Sequence, residues 1–253
     1  MASINLGIVM LAKSMHPMTQ TSITALEKSL SHAGLLNSSR LVLVDNSSPD
    51  PYRLENLNTH AHLSLVRLDK SHSFSAASNW GASKLRDSDM LLFLNNDVFL
   101  HPRAVEAMIQ DKTRLGAEIC GQRLVYPNGE IQHMGVGFGP NMSTPHHLNH
   151  YESSSLHSRV SGYCQAITGA AMLIDSKLFW ELEGFDEVFP FCFEDTDFCL
   201  RAATLGKKII CSQTVDSIHL SGQTWNETSM RYKIISSEIF LARWGGRVSS
   251  LRA

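Results

Sequence analysis

Short apolar runs and polar turns alternate through the first hundred residues. The runs at 4–11, Leu41–Val44, Leu63–Leu68 and Met90–Leu94 have strand length and are apolar enough for strands buried on both faces. Between them, Thr19 to His32 carries Ile23, Leu26 and Leu30 at helical spacing, with Gly34 placed as a C-cap. Ala76 to Leu85 reads as a second helix. Strands alternating with helices predict right-handed crossovers and an α/β fold with a single, mostly parallel central sheet flanked by helices.

The pattern changes in the second half. Tyr126-Pro127-Asn128-Gly129-Glu130 reads as a hairpin turn leading into Ile131–Gly137. Gly137 to Ser161 is a long polar connection with Pro140, Pro145, His146, His147, His150 and His157. A structureless loop of that length is functional or disordered, and the histidine spacing fits no rigid ligand geometry, so solvated side chains are expected. Order returns with an apolar run from Ala166 to Ile174, a short helix from Ser176 and a turn at Gly184-Phe185-Asp186. A helix from Glu194 to about Leu205, a strand from Lys207 to Cys211 and an amphipathic helix from Glu227 to Trp244 complete the chain. On the last helix Tyr232, Ile235, Ile239 and Trp244 are available to pack on the domain.

The chemistry gathers at strand ends. Leu91-Leu92-Phe93-Leu94 runs into Asn95, Asn96 and a lone carboxylate, Asp97. Ligands of open α/β sheets bind beyond the carboxyl ends of the strands, and a carboxylate delivered there by a rigid strand can hold a divalent metal against a diphosphate. The competing reading is that Asn95-Asn96-Asp97 ends a strand and caps a helix from Pro102. Asp45, at another strand end, is placed to accept hydrogen bonds from a ribose or base edge, or else to close an Asx-turn toward Pro49. Ser71 to Gly81 combines small residues with a helix start, which suits phosphate; Asn79 lies a turn later on that helix. The alternative there is an N-capped helix with Phe74 and Trp80 in the core. The first strand lacks a GxGxxG after it, so a dinucleotide site is not expected.

Glu194, Asp195 and Asp197 put three acids into the opening of one helix. The helix dipole favours them there. Asp195 and Asp197 cannot share a helix face, so one can point into a cleft while the other pairs with Arg201 at i+4. Crowded carboxylates raise one another's pKa, which suits a general base. His219 lies in a short apolar-to-glycine transition, where a lone histidine is more often structural than a ligand.

Composition narrows the classes. The 253 residues suit one large α/β domain, and 43% apolar content suffices for its core. With 22 basic and 24 acidic residues the net charge is −2, so there is no basic footprint for nucleic acid. The five cysteines form no CxxC pair or zinc spacing, as expected for reduced, mostly buried thiols in the cytoplasm. No apolar run reaches bilayer-spanning length and no signal peptide opens the chain, so a soluble or peripheral protein is expected. The chain stops soon after its last helix and could be a catalytic domain of a longer polypeptide.

Seven segments together resemble glycosyltransferase family 2, the inverting enzymes of GT-A fold, and within it the rhamnosyltransferase-like branch of bacterial surface polysaccharide synthesis. They are 44–50 (VDNSSPD), 73–81 (SFSAASNWG), 93–97 (FLNND), 127–135 (PNGEIQHMG), 168–171 (TGAA), 184–187 (GFDE) and 194–201 (EDTDFCLR), in the family's order. The resemblance implies a single GT-A domain over 1–253, with a nucleotide-binding half (1–100) and an acceptor-binding half (101–253) that ends in the C-terminal helix. It implies transfer of a hexose from a nucleoside-diphosphate donor, dTDP-rhamnose or a UDP-sugar, to a hydroxyl of a growing surface glycan such as O-antigen on a lipid carrier. Asp195 falls where the family has its catalytic base. Asp97, last residue of the family's metal motif, and His219 would hold Mg2+ or Mn2+. Asp45, Ser73, Phe74, Asn79, Asn95, Asn96, His133 and Glu194 would line the substrate and nucleotide site. A lipid-linked acceptor implies a cytoplasmic protein peripheral at the inner membrane face. The first strand departs from the family by ending in Leu11-Ala12-Lys13-Ser14 instead of a Thr-Tyr-Asn-like sequence. The competing readings are a metal-dependent nucleotidyltransferase and a non-catalytic sugar-nucleotide-binding module of a larger synthase.

Overall fold

The computed structural model describes residues 4–139, 145–220 and 227–247. In chain order its elements are β1 (Leu6–Ala12), α1 (His16–His32), β2 (Ser39–Asp45), β3 (His62–Arg67), α2 (Phe74–Ala82), β4 (Met90–Asn95), β5 (Val98–Phe99) and α3 (Ala104–Leu115). There follow β6 (Ile119–Val125), β7 (Ile131–His133), β8 (Val136–Phe138), β9 (Pro145–His147), β10 (Gly162–Tyr163), β11 (Ala171–Asp175), α4 (Ser176–Glu181), α5 (Glu194–Thr204), β12 (Ile209–His219) and α6 (Glu227–Trp244).

One ten-stranded sheet runs through both halves in the order β10-β12-β6-β11-β4-β1-β2-β3, with β5 paired to β12 and β7 to β6. The strands β4, β1, β2 and β3 are parallel to one another. Antiparallel β11 then lies between β4 and β6, and β12 runs parallel to β6. The carboxyl ends of β1, β2, β4 and β12 therefore open on one edge of the sheet, the edge at which ligands of such sheets bind.

Alternation along β1 divides the core. Leu6, Ile8, Met10 and Ala12 face one side with Ile23, Leu26 and Leu30 of α1 and Val105 and Met108 of α3. Val9 faces the other with Val44, Ala77, Phe93, Phe179 and Phe198. Both faces are covered, which explains why the parallel strands read as unbroken apolar runs. On the second face Gly81 has a specific task. A Cβ there would stand 2.7 Å from Val9 Cγ1 and 2.8 Å from Val44 Cγ2, so only glycine lets α2 settle this closely on the sheet. That contact delivers the start of α2 to the ligand-binding edge.

Three expectations change. Residues 137–161 are not one structureless loop: β8 and β9 form a hairpin there, as three-residue strands too short to carry a period. β12 continues well past Cys211 to His219. It does so through a bulge in which Ser212 to Ser217 spans only Gln122 to Leu124 of β6, bridged by Gln122 Nε2 donating to Val215 O at 2.6 Å. Finally, α6 buries Phe240 and Trp244, together with Ser229 and Ser236, whereas Tyr232 and Ile235 are exposed. All five cysteines are free thiols. No described helix is long and apolar enough to cross a membrane.

Candidate active site

Asp97 follows β4 and is fixed by the short strand after it. Val98 pairs with His219 across β5 and β12, and Leu220 N donates to Asp97 O at 3.1 Å. This pairing puts His219 Nε2 3.2 Å from Asp97 Oδ1, both side chains nearly buried. The other imidazole nitrogen, Nδ1, meets Gln132 Oε1, and Gln132 Nε2 donates to His219 O at 3.2 Å, which fixes the amide's orientation. Because Gln132 Oε1 can only accept, Nδ1 donates to it, and Nε2 is the nitrogen that faces the Asp97 carboxylate. Two electron pairs that close repel unless a proton or a cation lies between them. The donor set, one carboxylate oxygen and one imidazole nitrogen oriented from behind by an amide, could hold a divalent metal that would stabilise negative charge on a bound diphosphate. Among the described residues no third histidine, cysteine or acid joins them.

Asp195 stands on the first turn of α5. The backbone enters that helix through Cys192 at φ 65° and Phe193 at φ 73°, two left-handed non-glycine residues that cost of order 1–3 kcal/mol each. Strain of this kind persists where the surroundings hold it. Here Asp195 Oδ2 accepts from Gly169 N at 2.8 Å and Oδ1 from Thr196 N at 2.6 Å. Burial pushes the Asp195 carboxyl above the ordinary aspartate range, although the hydrogen bonds from Gly169 and Thr196 pull the other way. Its neighbour Glu194 is buried, and its Oε2 has no hydrogen-bond partner. Burial first, and then the charge of Asp195, push Glu194 up to about 8.

A single strand end joins the two acidic groups. Gly169 N holds Asp195, the next carbonyl, Ala170 O, accepts from Asn95 N at 2.9 Å, and Asn95 leads directly to Asp97. Asp97 and Asp195 thus belong to one edge of the sheet. Phe74, the first residue of α2, packs beside them: a Cβ on Gly169 would meet Phe74 at 3.3 Å and Asp195 Cβ at 3.5 Å. Asp197, by contrast, is fully buried and accepts from Arg201 Nε, Arg243 Nη1 and Trp244 Nε1, each at 2.8 Å. Of the two aspartates on α5, one is held by the Gly169 turn at the sheet edge and the other fastens α6.

Several residues expected at the ligand are occupied within the protein. Asp45 is 0% exposed and accepts from Ser48 N at 2.8 Å, Tyr52 N at 3.2 Å and Arg67 Nη1 at 2.6 Å, so it closes its own loop and offers no free edge to a nucleoside. Burial alone would raise its pKa, yet those hydrogen bonds leave it below the aspartate range. Asn79 clasps the turn after α4, donating to Phe185 O at 2.8 Å and accepting from Phe185 N at 2.9 Å. Asn96 donates to Thr19 Oγ1 at 2.9 Å, tying the strand end to α1. Ser73 is the N-cap of α2, accepting from Ala76 N at 3.2 Å. Asn95 is half-buried and held through its backbone. Trp80, expected in the core, is 40% exposed beneath Lys84 Nζ at 4.1 Å. The residues 95–97 do not cap α3, which begins at Ala104 with no side-chain cap.

His133 is also internal: fully buried, it accepts from Thr168 N at 3.4 Å and meets His147 Nδ1 at 2.8 Å through its own Nδ1. Burial and the neighbouring imidazoles hold His133 well below the usual histidine range, and His147 at about 4. Both are therefore neutral struts between the β8–β9 hairpin and the Thr168–Ala170 turn, whose Gly169 N holds Asp195. His147 and His150 are thus packed, not solvated; His157 pairs with Glu152 at 2.8 Å. Sequence reasoning assigned no role to Gln132, Thr168 or Gly169. A polar amide between Ile131 and His133 in a fully buried strand was the one available signal for Gln132. Residues 221–225, read as the transition after His219, lie outside the described residues.

With this geometry in view, likeness to known proteins is informative. "O-antigen biosynthesis protein RfbC" of Myxococcus xanthus is 28% identical over 187 residues, covering 71% of this chain and 15% of that protein. "Uncharacterized protein y4gI" of Sinorhizobium fredii (strain NBRC 101917 / NGR234) is 25% identical over 193 residues, 71% of this chain and 21% of that one. The chain thus spans well under a quarter of the length of either relative. Among solved structures, GalNAc-T7 with UDP, GalNAc and Mn2+ superposes with a TM-score of 0.72 at 12% identity, covering 95% of this chain and 50% of that one. At that identity the likeness speaks to the fold, which is GT-A. The profile of the family described as glycosyl transferase family 2 matches residues 22–181, a span that holds Asp97 and the Thr168–Ala170 turn and stops short of Asp195 and His219. The chain belongs to glycosyl transferase family 2.

Proposed function

We propose that this chain is an inverting, metal-assisted glycosyltransferase that moves a sugar from a nucleoside diphosphate to a hydroxyl of a bacterial surface glycan. The observation that carries the reading is the convergence of Asp97 Oδ1 and His219 Nε2 at 3.2 Å, on the strand end that also holds Asp195. A metal held by Asp97 and His219 would neutralise charge on the departing diphosphate. Asp195 accepts the proton of the attacking acceptor hydroxyl, and its raised pKa brings it closer to the working pH, as a general base requires. Attack comes from the face of the sugar opposite the diphosphate, so the anomeric centre inverts. Gly169 N and Thr196 N hold the Asp195 carboxylate at fixed orientation, while Phe74 closes the wall beside it.

The likeness to an O-antigen biosynthesis protein supports a surface polysaccharide as the acceptor, presented on a lipid carrier at the inner membrane face, with other domains of a longer polypeptide alongside. dTDP-rhamnose is the lead donor and UDP-sugars follow. Calorimetry of donor binding in the presence of Mn2+, followed by product analysis on a matched acceptor, tests the reading. Release of nucleoside diphosphate with an inverted glycosidic product supports it. Release of pyrophosphate would favour a nucleotidyltransferase, and binding without turnover a non-catalytic module.

A further inference from the structure

One feature near the site is absorbed neither by the reaction nor by the core. Tyr151 is 63% exposed, and it is held at φ 68°, two residues after Asn149 at φ 52°. A bulky residue in the left-handed region is unfavourable, and here the strain secures no burial. What it secures is a stack. Tyr151 lies 3.8 Å from the His150 ring at 22° and 5.6 Å from the Tyr126 ring at 8°, while Tyr126 Oη and His150 Nε2 are 3.0 Å apart. The stack is pinned to β7, since Tyr151 N donates to Ile131 O at 2.9 Å and Ile131 N donates to Glu152 O at 2.7 Å. The residue after Ile131 is Gln132, the amide that orients His219, so one strand carries both the anchor of the stack and the support of the proposed metal pair.

Its side of that pair follows from the sheet. β7 joins β6, on the β11 flank of β4, whereas Asp45, Ser73 and the start of α2 lie on the β1–β2 flank. The glycosyltransferase reading puts the donor nucleotide over the parallel β1–β2 flank, which leaves the Tyr151 flank to the other substrate. A flat aromatic face with polar groups at its rim matches the C–H face of a pyranose, whose hydroxyls point outward to the rim. We propose that Tyr151, backed by His150 and Tyr126, is the stacking platform for a pyranose ring of the acceptor glycan. The inference rests on the glycosyltransferase reading.

The test uses the full chain and two variants, Tyr151→Ala and Tyr151→Phe, in assays that vary donor and acceptor separately and also follow donor hydrolysis without acceptor. Tyr151→Ala should raise acceptor KM by about tenfold to a hundredfold, the scale of one aromatic stacking contact. Donor KM and acceptor-independent hydrolysis should stay at the wild-type level, and Tyr151→Phe, which keeps the ring, should behave as wild type. An unchanged acceptor KM in Tyr151→Ala overturns the proposal while leaving the glycosyltransferase reading intact. A raised donor KM overturns it too, because the ring would then be stacking the nucleobase. Saturation-transfer NMR with methyl α-L-rhamnopyranoside and methyl β-D-glucopyranoside supplies a readout independent of turnover. Ring C–H saturation that disappears in Tyr151→Ala supports the platform even if no donor is turned over, and saturation equal in both proteins refutes it.

Discussion

Gln132 Oε1 accepts from His219 Nδ1, and by doing so turns Nε2 toward Asp97 Oδ1, 3.2 Å away. The amide lies behind the ring, and it sets which imidazole nitrogen faces Asp97. Gln132→Ala should weaken Mn2+ binding by about 10- to 100-fold, the usual effect of losing such an outer partner. Titration of Mn2+ followed by electron paramagnetic resonance, with a nucleoside diphosphate present, measures it directly. Unaltered affinity would mean that His219 is held by other contacts.

Asp195→Asn keeps the shape of the side chain and its bond from Gly169 N while removing the base. The expected loss in kcat is about 100- to 10,000-fold, with donor Kd unchanged by calorimetry. The pH profile carries a second signature. Burial raises the Asp195 pKa, so the acid limb of kcat/KM should lie above the ordinary aspartate range. Full activity in the variant would remove Asp195 from the chemistry.

Glu194 shapes the dependence of stability on pH. Its folded-state pKa, about 8, lies above the ordinary glutamate value, so between roughly 4.5 and 8 the folded chain keeps a proton that the unfolded chain has released. Stability from this residue is therefore present at low pH and lost as pH rises through that window. His133 and His147 act in the opposite sense: their depressed values cost stability as pH falls below about 6.5, where the unfolded chain gains protons that the folded one refuses. Glu194→Gln should flatten the alkaline side of the Tm-against-pH curve between pH 5 and 8 and leave the acid side as it is. A parallel curve in the variant would show that Glu194 is ionised in the folded state.

Asp197 joins two helices far apart in sequence, accepting from Arg201 on its own helix and from Arg243 and Trp244 on α6. Asp197→Ala leaves two guanidinium groups without their shared acceptor and should destabilise the protein by about 3–5 kcal/mol. Proteolysis should then cut first along α6, whose own apolar hold is a small cluster in which Ile239, Phe240 and Trp244 meet Phe138, Phe189, Phe193 and Leu200. Equal protease resistance in the variant and the wild type would place the anchor of α6 elsewhere.

The parallel half of the fold was legible because strands buried on both faces leave continuous apolar runs, and because Gly34 marks the end of α1 at positive φ. Asp97 was legible for the same reason: a carboxylate after such a run stands out. The second half hid more. His219 ends a strand that a bulge carries past its apolar segment, and no local period reports where a bulged strand stops. The residues that support the site are partners across long sequence distances, Gln132 with His219 and Gly169 with Asp195, and one chain read in order does not reveal pairings. Asp45 and Asn79 show the converse. Polar residues at strand ends and helix starts look like ligand contacts, while the backbone groups that claim them, at Ser48, Tyr52 and Phe185, become visible only in three dimensions.

The central claim is that Asp97, His219 and Asp195 serve one pocket across a bound sugar nucleotide. Anomalous diffraction at the manganese edge, from crystals grown with Mn2+ and UDP or dTDP, tests it most directly. A peak ligated by Asp97 Oδ1, His219 Nε2 and diphosphate oxygens, with Asp195 facing the sugar side of that diphosphate, is the predicted result. A peak ligated elsewhere on the chain, or an Asp195 carboxylate turned away from the nucleotide, would contradict the account.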